Sequence, residues 1–345
     1  TEKVGSYLDR LELYVEQVQA GTFPTSKWVK LACERHRVDR ANPAFVLNTE
    51  RLESCLGFIE SLPFIRGDKT GVPFQLLDWQ VFVLGSLASW EWADTGKRRY
   101  RFGIMELGRG QGKTTMCAAY LLWSLLKGGE GQHIYTLGTA EKVAMLSFED
   151  MRAFMRRMGK DTGSRQQERR TIEGHEWEIG YKEIRCKTLN SFVKPLTSKV
   201  QNLDGLDPAA YVTDEAAEMQ SEALNKLITA QHKREESQGL IITTPGDTEA
   251  TLYYTLRKAG TQALQGMHHD PYSFYFLCGL DTPEEHADPD NWVKAMPSLG
   301  ATSSSDYVHQ LYQNAQAAGP SQLRAWRRFY GCEWVGQTDP FISDE

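Results

Sequence analysis

The sequence predicts an α/β protein with a mainly parallel sheet, and three observations predict it. An apolar run from Phe102 to Leu107 enters the turn Gly108-Arg109-Gly110-Gln111-Gly112-Lys113-Thr114-Thr115, and the turn opens a buried-helix pattern from Met116 to Leu126. About a hundred residues on, Ala209-Ala210-Tyr211-Val212-Thr213 reads as a strand end followed by two acids, Asp214 and Glu215. A third run, Leu240-Ile241-Ile242-Thr243-Thr244-Pro245-Gly246, ends in hydroxyls and a turn. Short apolar runs that alternate with helical stretches are the pattern of parallel strands joined by crossover helices.

The glycine-rich turn carries the first chemistry. Glycines let the backbone curl so that successive N–H groups converge on phosphate oxygens, and the helix N-terminus that follows adds partial positive charge. Lys113 can then reach the β- and γ-phosphates and Thr114 can place its hydroxyl on Mg²⁺. The match to G-x-x-x-x-G-K-[ST] is a variant, because Leu107 stands where the first glycine is usual and Gly108 follows one place later. Asp214, at a strand end, takes the role of holding Mg²⁺, and Glu215 that of orienting an attacking water. A helix that simply begins with acids, favoured by its dipole, would give the same pair. Thr243 and Thr244, on a strand beside the acidic one, are placed to sense the γ-phosphate and relay its loss.

Length and composition bound the rest. A chain of 345 residues, 41% hydrophobic, holds one large α/β domain with additions, or two domains. A formal charge of −6 argues against non-specific coating of nucleic acid, although a local basic face can still hold a DNA backbone. The sequence has no run of 18 apolar residues and its Thr1-Glu2-Lys3-Val4-Gly5-Ser6 start has no apolar signal core, so a soluble intracellular protein with no membrane partner is expected. Six cysteines without a C-x-x-C pair predict reduced thiols. His268-His269-Asp270 has no third ligand spaced to help, and no metal is expected there.

Along the chain, residues 1 to about 72 show helical periodicity in segments separated by Pro24, Pro43 and Pro63. Phe74-Gln75-Leu76-Leu77-Asp78-Trp79-Gln80 leads into a helix expected from Val81 to Trp92. Gln80 can offer a donor and an acceptor to adenine, or can be a solvated helix start. After the loop helix, His133 to Thr139 reads as a strand and Ala140 to Met158 as an amphipathic helix. Between Arg152 and Arg170, seven basic residues face only Asp161 and Glu168. That cluster is a solvated face, a DNA-phosphate contact, or a source of arginine for a neighbouring subunit, with Arg169 and Arg170 the candidates for the last role. His175 to Leu189 alternates as a hairpin does, and Tyr272 to Leu277 is one more strand. Asp281 to Ser305, rich in Pro, Asp, Glu and Ser, reads as a surface connection, and Asp306 to Trp334 returns to helix.

With the loop, Asp214-Glu215 and Thr243-Thr244-Pro245 in this order, the chain resembles the ATPase part of the large terminase subunit of tailed double-stranded-DNA bacteriophages. The match spans nearly the whole chain and includes Trp28-Val29-Lys30-Leu31-Ala32-Cys33-Glu34-Arg35, Asp204-Gly205-Leu206-Asp207-Pro208 and the stretch from Trp292 through Ala295-Met296-Pro297-Ser298-Leu299-Gly300. It also takes in Leu77-Asp78-Trp79-Gln80, which resembles the family's adenine motif and adds Trp79 to the nucleotide-binding candidates. The family's loop commonly lacks the first glycine and carries an arginine where Arg109 stands.

The resemblance implies a P-loop NTPase core of the additional-strand, catalytic-glutamate type. It divides the chain into an N-terminal helical subdomain packed on the motor (1–72), the core (73–280) and a C-terminal lid or linker (281–345) leading towards a nuclease domain that does not fit in this sequence. Nuclease activity is therefore not expected. Gly108, Gly110, Gln111, Gly112, Lys113, Thr114 and Thr115 would cradle ATP, with Mg²⁺ on Thr114 and Asp214, and Arg109, Lys113 and Glu215 would serve hydrolysis. The implied function is translocation of double-stranded DNA into a procapsid by a homo-oligomeric ring, a pentamer, on the portal protein, with a small terminase subunit as partner, in the cytoplasm of the infected host. Two other readings stay open. A helicase-like translocase would show unwinding and a second motor core, and a non-catalytic nucleotide-binding assembly module would release no phosphate.

Overall fold

The computed structural model describes residues 5–67, 70–164, 167–199 and 203–335. Three helices open the chain, α1 (Tyr7–Ala20), α2 (Lys27–Arg40) and α3 (Thr49–Ser61). Each starts where a short polar side chain takes an orphan N–H: Ser6 accepts from Asp9, Ser26 from Val29 and Asn48 from Arg51. Helix α4 (Asp78–Ser89) is buried on every side from Trp79 onward, as an apolar helix wedged between other elements must be. It ends earlier than its apolar content suggests. Trp90–Trp92 is strand β2, paired antiparallel with β1 (Phe45–Leu47), and the Phe45 and Trp92 rings meet at 5.1 Å. Cross-strand aromatic packing wins over helix propagation there.

The remaining strands form one ten-stranded sheet. They are β3 (Phe102–Glu106), β4 (His133–Gly138), β5 (Lys160–Asp161), β6 (Arg169–Ile172), β7 (His175–Ile179), β8 (Ile184–Cys186), β9 (Ser191–Thr197), β10 (Ala210–Thr213), β11 (Gln238–Thr243) and β12 (Ser273–Leu277). Their order is β12-β3-β11-β10-β4-β9-β8-β7-β6-β5. The first six are parallel and the last five, sharing β9, are antiparallel. Parallel neighbours need crossovers, which α5 (Lys113–Lys127), α7 (Ser221–Ala230) and α8 (Leu252–Leu264) supply, while α6 (Glu141–Arg157) leads from β4 into the antiparallel extension. One strand, β11, lies between the strand that feeds the phosphate loop and the strand that ends in Asp214, so the expected mixed α/β fold with a mainly parallel sheet is what the chain adopts.

Alternation along the strands sorts the core onto two faces. Met105, Ala210, Val212, Leu240 and Ile242 join the core under α3, α4, α5 and α6, whereas Ile104, Tyr211, Ile241 and Tyr275 join the one under α7 and α8. The β12 edge is closed by α2, whose Ser26 hydroxyl donates to Leu277 O at 2.7 Å and whose Arg35 donates to Ser273 O at 3.0 Å. Two main-chain acceptors that an open edge would leave for another chain are thereby taken. All six cysteines are buried as free thiols. Among the described residues no helix is long and apolar enough to cross a membrane.

The C-terminal stretch departs from its sequence reading. Asp281 to Ser305 is not a surface connection: Trp292, Ala295, Met296 and Ser298 are buried, and the first three join α9 (Ser305–Ala318) and α10 (Pro320–Phe329) in a third core. Its Pro, Asp and Ser residues mark tight turns, which bring Met296, the Ala295 carbonyl and Ser298 against the phosphate loop.

Candidate active site

The site begins where β3 stops. Leu107 N donates to Thr243 O, and from Gly108 the chain turns through Gly110 and Gly112, both left-handed with φ of 76° and 73°. A side chain there would be strained, so the glycines are a backbone requirement. Gly112 caps α5, whose first turn presents N–H groups that no intrahelical carbonyl can take. Such an end attracts anions. Lys113 Nζ donates to Leu107 O and Gly108 O, both at 2.8 Å, and burial holds its ammonium below the ordinary lysine range. A half-buried cation held by its own loop's carbonyls is one that a phosphate would satisfy better.

Asp214 closes the pocket from β10. Its Oδ2 accepts the Thr114 hydroxyl at 2.7 Å and its Oδ1 accepts the N–H of Glu215 at 2.9 Å. Burial pushes the carboxyl above its ordinary range, and the Thr114 hydroxyl and the Lys113 charge pull it back. The neighbouring Glu215 is exposed, with a left-handed φ of 56°, and its Oε2 accepts the Thr139 hydroxyl from the end of β4 at 3.1 Å. A non-glycine residue held in that region is a strain that surrounding structure must impose.

Beside the loop lies a cleft of about 540 Å³, lined by Phe64, Arg66, Leu77, Gln80, Gly112, Thr115 and Thr302 among others. Gln80 is buried on its wall, but its Oε1 already accepts Leu77 N at 2.9 Å. That bond takes one lone pair of Oε1 and leaves the two amide N–H donors open to another partner.

Residues 78–261, more than half of the chain, match the model of the terminase large subunit ATPase domain. The chain belongs to this family. It is an ATPase domain. Its fold is similar to that of the HK97 bacteriophage large terminase, with a TM-score of 0.65 at 19% identity over 85% of this chain and 57% of that one. The chain therefore spans little more than half the length of that relative. The Thermus phage P74-26 large terminase ATPase domain is a more distant likeness, with a TM-score of 0.45 at 15% identity over 70% of this chain and 92% of that one. No curated protein sequence matches the chain.

In this terminase ATPase domain several sequence candidates have structural duties. Trp79 is buried away from the cleft, stacked on Phe276 at 5.6 Å with Nε1 donating to Ser298 Oγ, so it ties α4 to the C-terminal core. The Gln111 side chain is buried too, accepting from Ser298 N at 2.7 Å and donating to Arg109 O at 3.0 Å, which leaves its backbone N–H for a phosphate. Thr115 lines the cleft while its hydroxyl donates to Asp150. Thr243 Oγ1 donates to Thr244 O and accepts Ala217 N at 3.1 Å, locking the turn after the acid pair to β11. Arg109 lies with its guanidinium 3.4 Å from the centre of the Phe329 ring, and its N–H donates to Phe329 O.

The basic run does not stay on a helix. Helix α6 ends at Arg157, and Arg169 and Arg170 sit on β6 within the antiparallel extension. Arg169 pairs with Glu176 and Glu178, Arg170 with Asp161, and Arg156 with Glu168. Arg165 lies outside the described residues. The local excess of charge read from the run alone is offset by acids that the hairpin returns to it.

Sequence reasoning missed the residues that grip the loop from the far end of the chain. Gly108 N donates to Ala295 O, while Thr302 and Ser303 hydroxyls donate to Gly110 O at 3.0 and 2.8 Å. Glu106, fully buried just before the loop, accepts from Arg257 at 2.8 Å and from Trp334 Nε1 at 3.0 Å. The stretch from Trp292 to Gly300 carried the one available signal, as a family-like segment without an assigned task.

Proposed function

We propose that this ATPase domain is the motor of a viral DNA-packaging terminase, hydrolysing ATP to drive double-stranded DNA into a procapsid. The observation that carries the reading is the contact between Thr114 and Asp214, which joins the phosphate loop to the acidic strand at 2.7 Å. Two hard oxygen donors so close, beside a half-buried lysine, fit Mg²⁺, which takes few protein oxygens and keeps its waters. Thr114 and Asp214 would hold the metal, whose positive charge would offset the charge of the phosphates. Lys113 would exchange its loop carbonyls for the β- and γ-phosphates, the Gly110 to Thr115 backbone would hold the phosphate chain, and Gln80 would donate to the base from the cleft wall. Glu215, exposed at the end of β10, would orient the attacking water, with Thr139 fixing its carboxylate. Arg109 would leave the Phe329 ring to neutralise charge on its own γ-phosphate, and Arg169 or Arg170 would do so for a neighbour's. Thr243 and Thr244 would pass the loss of the γ-phosphate from the acid turn to β11. The assembled form on this reading is a homo-oligomeric ring, a pentamer, on the portal with a small terminase subunit, in the cytoplasm of the infected host.

Two substitutions test the site by failing differently. Lys113→Ala should weaken nucleotide binding, because one charge on the phosphates is lost, whereas Glu215→Gln should bind ATP and hardly turn it over. Nucleotide binding and phosphate release, each with and without DNA and procapsids, are the measurements. Turnover by Glu215→Gln at the unmodified rate would remove Glu215 from the water-orienting role.

A further inference from the structure

The cleft wall and the phosphate-binding helix share one buried carboxylate. Asp150, on α6, is 1% exposed, and its Oδ2 accepts the Thr115 hydroxyl at 2.7 Å. Its Oδ1 is held by the guanidinium of Arg66, which comes from the segment that walls the cleft and whose side chain is 56% exposed. An exposed arginine gives up rotamer freedom to reach a buried acid, and without it the acid would be an uncompensated charge. Burial already pushes that carboxyl above its ordinary range, against the pull of Thr115 and Arg66.

The wall itself is seated on the main core, with Phe74 and Leu76 buried in it and Phe64 and Ile65 packed against it. Its local hydrogen bonds are Phe64 N to Val72 O, Gly71 N to Phe64 O and Phe74 N to Leu62 O, with Phe64 and Phe74 stacked at 4.4 Å. These contacts shape the segment, and Leu76 fastens it to α1 and α3 through Arg10 and Glu60. The Arg66–Asp150–Thr115 chain crosses from the wall to the first turn of α5, so it sets how far the wall stands from the phosphate-binding N–H groups.

We propose that Arg66 and Asp150 are positioning residues that fix the width of the nucleoside cleft and so govern nucleotide affinity, leaving the chemical step alone. The inference rests on the reading of the cleft as the nucleoside pocket. Arg66→Ala should raise the Kd for ATP and ADP, and the KM for ATP, by about ten-fold, the equivalent of one charge-assisted hydrogen bond, with kcat within about two-fold of the unmodified chain. Binding of tripolyphosphate, which has no nucleoside, should be unchanged. Arg66→Lys, which keeps the charge but not the fork, should fall between. Asp150→Asn should raise the same constants, and combining it with Arg66→Ala should add little further, since both break one contact. Arg66 is mostly exposed, so its variants are expected to melt near the unmodified temperature even if Asp150→Asn does not fold. Unchanged ATP affinity in Arg66→Ala, or a fall in kcat at constant KM, overturns the inference. Equal loss of ATP and tripolyphosphate overturns it too, because the effect would then lie in the phosphate loop. Failure of the unmodified chain to bind ATP would instead strike the underlying reading.

Discussion

The Thr114 hydroxyl has two duties that one substitution separates from each other. It is the donor that satisfies Asp214 Oδ2, and it is the candidate metal ligand. Thr114→Val keeps the shape and β-branching but leaves a buried carboxylate short of a donor, which costs about 1–3 kcal/mol. Thr114→Ser restores the hydroxyl with little loss of volume. The expected result is a lower melting temperature and near-abolished phosphate release for Thr114→Val, and near-normal values of both for Thr114→Ser. Calorimetry and a phosphate-release assay check it, and a Thr114→Val chain that still hydrolysed ATP would remove the hydroxyl from the site. At this scale the sequence was informative where chemistry depends on neighbours in the chain. Gly112, Lys113 and Thr114 are adjacent, so their joint geometry follows from one turn. It was uninformative where a side chain's partner is remote: nothing near Trp79 or Gln111 announces that Ser298 accepts from the one and donates to the other.

Among elements, five of the parallel strands were legible because they are buried on both faces and bounded by turns, whereas β9, half-buried along most of its length, gave no such signal. The segment before Ser305 was not legible either, because its buried residues are separated by turn formers and pack on a loop that lies about 190 residues earlier in the chain. The charge balance of the basic run was only partly legible, because two of the acids that pair with it, Glu176 and Glu178, lie across a hairpin. A remote pair that does bear on element stability is Arg234 with Asp207. Arg234 donates from Nε and Nη2 to the two carboxylate oxygens at 2.8 and 2.7 Å, clamping the turn before β10 to the turn before β11. The Arg234 guanidinium holds the Asp207 carboxyl below its ordinary value of 3.8. A carboxyl depressed in the folded state contributes stability that is complete above the unfolded pKa and is lost as pH falls through the folded one. Because Asp207 is more than a third exposed, about 1 kcal/mol is the upper expectation. Arg234→Ala should therefore melt a few degrees lower at pH 7, and the gap should close below about pH 4. A gap that persists undiminished at pH 3 would mean that the loss is one of packing.

At the scale of the whole molecule, the C-terminal core and the phosphate loop form one body, and Arg109 lies at their junction on Phe329. On the proposed reading, an arginine parked there would serve its own nucleotide. Arg169 and Arg170 belong to the antiparallel extension at the other end of the sheet, where a neighbouring subunit would find them. Both are engaged by acids of their own chain, at 3.1 Å for Arg169 with Glu176 and 3.4 Å for Arg170 with Asp161. Pairs that are partly exposed are worth roughly 0.2–1 kcal/mol, whereas an arginine on a phosphoryl transition state is worth roughly 10³ to 10⁵ in rate. The intrachain pairs are thus too weak to prevent the exchange. If Arg170 acts in trans and Arg109 in cis, dilute chains should hydrolyse ATP slowly, and turnover per chain should rise with concentration or on a portal. Mixing Arg170→Ala with Lys113→Ala should restore part of the activity, since each chain supplies what the other lacks. Mixing Arg109→Ala with Lys113→Ala should restore none, because both losses strike the same chain's own site. The same pair of mixtures made with Arg169→Ala distinguishes the two arginines. Full turnover in a dilute monomer, insensitive to either β6 arginine, would exclude the trans role and leave Arg169 and Arg170 as braces of the hairpin.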